Sequence, residues 1–212
     1  MTGKKAMIGD DPRLTQSILR LPQFRRASQR WHDDPERMRS LIFLGVKLAD
    51  ADYYSSRLTG AVAKTRNDTS RTKGRPVTVA RWRAFSRQAD SFVFAVYGAL
   101  DALAQIAVAV GRVRTEEEVK FPALAGLLAS GSQNPERWVA FRGWLEEVYQ
   151  AGWFRELRRL RNLVNYRSVL GPPLEGPRPP GVALDWATTY QHVVATVEAG
   201  LGLLLDEGSG ES

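Results

Sequence analysis

Residues Phe92 to Val110 read FVFAVYGALDALAQIAVAV. The run is apolar nearly all round a helix, and a helix without a polar face must be enclosed by others. It therefore predicts the central helix of a bundle. Trp82, Phe85 and Ala89 extend the same face upstream, so the helix is expected from about Thr78 to Val110. One charge interrupts it, Asp101. A buried carboxylate needs a cation or several donors, because leaving it unpaired costs several kcal/mol.

Working outward, Asp33-Asp34-Pro35-Glu36 reads as a helix start, with an acidic cap, proline at the first position and an acid in the first turn. Leu41, Leu44, Leu48, Ala51, Ser55, Leu58 and Val62 continue it as a long stripe to about Lys64. The polar stretch TRNDTSRTKGRP, residues 65–76, is expected as a loop, either a phosphate-binding one or a solvated connection. Downstream, Phe121 to Ala129, Asn134 to about Gln150, Gly152 to Ser168 and Asp185 to Leu205 each carry helical spacing. Ala151-Gly152 either separates two helices or kinks one rod. The segment GPPLEGPRPPG, residues 171–181, cannot be helical and is expected to wall one side of the preceding helix. No strand pattern occurs. The expected fold class is all-α, an antiparallel helical bundle with two long helices plus two or three further helices. Residues 1–34 read as an N-terminal extension or as an arm that docks through Ile18, Leu19, Leu21 and Phe24 as a short helix, 35–207 as the bundle, and 208–212 as a disordered tail.

The chain has 212 residues and a net charge of +7, with 24 arginines among its 30 basic residues. That balance favours an anionic partner, and arginine suits two-pronged phosphate contacts. The absence of cysteine excludes disulfides, thiolate metal sites and cysteine nucleophiles. With only His32 and His192, a histidine-rich zinc site is excluded as well, and no metal or cofactor is expected. His32 reads as a surface or capping residue, and His192 as a packed or surface one. The first residues carry no apolar run, and no apolar stretch reaches the ~18 residues of a membrane span without a charge. A cytoplasmic location with no membrane partner is the expectation.

The most basic compact run after residue 90 is GWFRELRRLRNLVNYRS, Gly152 to Ser168. Leu157, Leu160, Leu163 and Val164 form its apolar face, while Arg158, Arg161, Asn162, Asn165 and Tyr166 rise along one side. A core helix needs the leucines but not this row of guanidinium, amide and phenol groups. The helix is also the natural supplier of a cation for Asp101.

Together, DSFVFAVYGALDALAQ and RRLRNLVNYRS resemble the HEPN superfamily, small helical bundles of prokaryotic antiviral defence and toxin–antitoxin systems. The likeness covers about residues 35–207. In that family an acidic or polar residue on an inner helix faces an Arg-Asn-x-x-x-His motif, and two copies form a metal-independent endoribonuclease site. Arg161 and Asn162 match the motif, whereas Tyr166 stands where the family has histidine. The resemblance thus implies a homodimer that engages RNA, with Arg161, Asn162, Tyr166 and Asp101 as catalytic candidates. Arg155, Arg158, Asn165 and Arg167 would hold phosphate or RNA. A phenol with an ordinary pKa near ~10 is a poor base at neutral pH. Two outcomes follow: a ribonuclease using Tyr166 as acid or base, or a catalytically degenerate module that binds RNA, nucleotide or a protein partner from the same operon. Arg161 also has a purely structural reading, an ion pair with Asp101.

Overall fold

A computed structural model describes residues 14–71, 79–113, 118–130, 135–165 and 185–207. They form α1 (Gln16–Leu19), α2 (Pro22–Arg30), α3 (Pro35–Arg71), α4 (Val79–Gly111), α5 (Leu124–Ser130), α6 (Val139–Gln150), α7 (Gly152–Asn165) and α8 (Trp186–Glu207). Two 3-10 turns, Phe121–Ala123 and Pro135–Trp138, lead into α5 and α6. The described residues contain no strand. The protein is an all-α helical bundle, as the periodicity predicts.

The long pair α3 and α4 is its spine. Asp34 starts α3 by accepting the backbone N–H of Glu36 at 3.2 Å and of Arg37 at 3.0 Å. Its carboxylate thereby satisfies two of the donors that a helix start leaves open. The helix continues to Arg71, through half of the stretch read as a loop. Residues 65–71 are polar but contain no breaker; Gly74 and Pro76 come only afterwards, and residues 72–78 lie outside the described ones. Polarity alone does not end a helix, since solvent accepts polar side chains from any backbone conformation.

Phe92, Val96, Leu100, Leu103 and Ala107 of α4 are inaccessible to solvent. The span Arg83–Gly111 is long and apolar enough to cross a membrane, and here its apolar surface is largely buried inside the bundle. At its end Arg112 adopts φ of 50°, and the Val113 N–H reaches back to the Val108 carbonyl at 3.1 Å. This left-handed stop reverses the chain.

Asp185 caps α8, taking the Thr188 N–H at 3.1 Å. That hydrogen bond holds its carboxyl below the usual range. α8 then passes so close to α4 and α6 that a Cβ on Gly200 would stand 2.7 Å from Trp144 and 2.9 Å from Leu103. Only a glycine fits that crossing.

Within the segment expected as an extension or a docking arm, the described residues 14–34 contribute two helices to the core. Leu14, Ile18, Phe24, Ala27 and Trp31 are buried. Glu198 of α8 accepts the N–H groups of Gln23 at 2.9 Å and Phe24 at 3.0 Å, so an acid on one helix caps another. Hydrogen bonds to a charged group contribute about 1.5–3 kcal/mol. Glu198→Ala is therefore expected to lower stability by roughly 2 kcal/mol and to speed amide hydrogen exchange selectively in α2. Unchanged α2 protection would show that apolar packing alone holds the arm.

Candidate functional site

α7 begins afresh. Ala151 is extended, with φ of −62° and ψ of 136°, so α6 and α7 are separate helices that meet at an angle. Phe154, Leu157 and Leu160 bury one face of α7 against the bundle. Phe154 packs on Tyr97 of α4 at 6.3 Å between ring centroids, on Phe121 at 6.0 Å and on Tyr149 at 5.7 Å. Trp153 adds a flat stack on His192 of α8, 5.9 Å away with 9° between planes. His192 thus braces the start of α7 from the surface. His32 is exposed too, bonded to Asp33 at 2.6 Å, at the entry to α3.

The opposite face of α7 carries the charge. Arg155, Arg158 and Asn162 are exposed, and Arg161 is half-buried. Arg159 donates twice to Glu156, at 2.9 and 2.6 Å. This fork holds the Glu156 carboxyl below its usual range, so the pair persists through neutral pH and is lost only as acid protonates the carboxylate. Arg155 and Arg158 make no ion pair among the described residues.

The Arg161 guanidinium lies 4.2 Å above the centroid of the Tyr97 ring. Tyr97 is 4% exposed, and its hydroxyl makes no hydrogen bond among the described residues. Burial pushes this phenol up, while the charges of Arg161 and, more weakly, Arg158 pull the other way. Tyr97 was not among the sequence candidates. The available signal was its place one turn before Asp101 on the same helix.

Asp101 has different partners from the one expected. Its Oδ1 accepts the Phe121 N–H at 2.8 Å, and its Oδ2 lies 3.7 Å from the Lys120 ammonium. Lys120 also meets Glu118 at 2.7 Å. The expected Asp101–Arg161 pair is corrected accordingly: the cation comes from the segment returning along α4. Gln105, one turn further on, donates to the Val119 carbonyl at 2.8 Å and latches that segment down. The 3-10 turn at Phe121–Ala123 then opens directly onto Asp101, which caps it. Tyr149 donates to the Phe121 carbonyl from the other side, and burial pushes its phenol up to about 12.

The structure thus brings Arg155, Arg158, Arg161 and Asn162 together on α7, with Asp101 near the Tyr97 end of the same region. Asn165 is the last residue of α7, while Tyr166, Arg167 and the expected wall at 171–181 lie outside the described residues. Among the described residues no three acidic or histidine side chains cluster as metal ligands. In comparisons with family models, curated proteins and solved structures, the chain matches none.

Proposed function

We propose that the protein engages RNA through the outer face of α7, as a HEPN-like homodimer of a prokaryotic defence or toxin–antitoxin system. The observation that carries this reading is the row of Arg155, Arg158 and Asn162, exposed and unpaired by any described acid, beside an Arg161 braced on Tyr97. A helix that buries leucines on one side and aligns guanidinium groups on the other offers phosphates both charge and fixed spacing. Bracing Arg161 on an aromatic ring lowers the entropy lost when it grips a phosphate oxygen. With Asp101 capping the Phe121–Ala123 turn, the reading favours RNA binding as the primary act. Cleavage, where it occurs, would be metal-independent, with Tyr166 in the acid–base position and Asn162 holding a backbone oxygen.

The test is fluorescence anisotropy with labelled single-stranded RNA in EDTA, followed by electrophoresis of the same RNA and sedimentation of the protein. Salt-sensitive binding by a dimer is expected. Intact RNA after long incubation assigns a binding module, and EDTA-resistant cleavage assigns a ribonuclease. A protein that ignores RNA at low salt overturns the proposal.

A further inference from the structure

Phe94, Gly98, Asp101 and Gln105 succeed one another at offsets of three and four, so they lie along one line of α4. The returning segment 118–120 covers the Asp101–Gln105 end through its contacts with both side chains. No described segment covers the other end, where Phe94 is 55% exposed. At Gly98 a Cβ would stand 3.0 Å from the stem of Lys47 on α3. Tyr97, beside Gly98, carries Arg161 of α7, and the charge of Arg158 also reaches it. The strip is therefore bordered by α3 with Lys47 on one side and by α7 with its arginines on the other. Phe43, one turn before Lys47, is also exposed at 49%, with the Lys47 ammonium 5.4 Å from its ring centroid.

Asp50 is partnered by Lys47 at 3.5 Å and Asp101 by Lys120, while Asp90, one turn before Phe94, has its carboxyl pushed up by burial. Arg158 and Arg161 have no such acid among the described residues, so the remaining charge selects a polyanion. The exposed Phe94 ring supplies what a phosphate chain alone does not require, an apolar face for a flat ring.

We propose that Phe94 is a base-stacking subsite for single-stranded nucleic acid, with Arg158 and Arg161 holding the phosphates on either side of the stacked base. A duplex keeps its bases stacked on one another, so the subsite prefers single strands. The inference rests on the α7 reading above and adds the class of ligand to it.

The experiment compares a labelled oligoadenylate with an abasic chain of equal length and charge, and with the oligoadenylate in duplex form. Wild-type protein is expected to bind the single-stranded oligoadenylate roughly 10-fold more tightly than the abasic chain. Phe94→Ala removes that preference and leaves abasic binding unchanged; Phe94→Trp keeps the preference, and its added indole emission is quenched by the oligoadenylate. Equal binding of both chains by the wild type, or an unchanged preference in Phe94→Ala, overturns the subsite. The α7 reading then survives if Arg158→Ala weakens the abasic complex. Failure of every chain to bind overturns both. A Phe94→Ala protein that turns from dimer to monomer with its preference intact makes the strip a contact between copies and also overturns the subsite.

Discussion

Phe121→Ala is expected to lower the unfolding free energy by about 3–5 kcal/mol, the usual range for deleting a fully buried ring. Phe121 is wholly inaccessible and meets Trp144, Tyr149 and Phe154 edge to face, with centroids 6.3, 5.6 and 6.0 Å away. It joins the end of the segment returning along α4 to α6 and α7. Its backbone N–H to Asp101 and its carbonyl from Tyr149 are retained by alanine, so the loss reports the ring and the cavity it leaves. Urea unfolding checks the value, and Phe121→Leu should lose much less because most of the volume remains. Hydrogen exchange in α7 should quicken in the alanine variant, since Phe154 loses one of its main supports. A loss under about 1 kcal/mol would show that the site helix is anchored elsewhere.

The second large effect concerns binding. The double replacement Arg155→Ala and Arg158→Ala is expected to weaken single-stranded RNA binding by at least about 10-fold near physiological salt. It should also reduce the slope of log affinity against log salt by roughly 1.4, about 0.7 for each lost phosphate contact on a single strand. Both side chains are exposed on α7, so stability should change by less than about 0.5 kcal/mol per site. Arg159→Ala is the internal control, because its guanidinium is already held by Glu156; its effect on affinity should be smaller. Arg161→Ala should differ from all three, losing about 1 kcal/mol of folding stability with the cation–π contact besides any loss of affinity. An unchanged salt slope in the double variant would move the RNA contact away from α7.

Much of the architecture was legible because burial imposes periodicity. Asp34 caps its helix within the acidic start expected there, α8 begins at the Asp185 boundary that the spacing marked, and the apolar run at Phe92–Val110 is the enclosed helix. The errors came where a local signal competes with tertiary contact. The polar residues 65–71 stayed helical because nothing in them breaks a helix. For residues 14–34 the sequence left a docked helix and a loose extension both open, and the packing decided, with Glu198, far away in sequence, capping α2.

The same division runs through the site. The charge row of α7 is a property of the sequence, since offsets of three and four determine which groups share a helix face whatever surrounds it. The partners of those groups are not, because they depend on which segment arrives beside them. Sequence alone offered Arg161 to Asp101 as a plausible pair of opposite charges. The fold instead gave Asp101 to Lys120 and the Phe121 N–H, and gave Arg161 to the face of Tyr97. The physical reason is that the return segment, latched by Gln105, reaches Asp101 with both a cation and the open donor of a helical turn. The sequence determined the enclosed helix and the basic face; only the packing of distant segments decided which charge was matched and which ring, Phe94, stayed in the open.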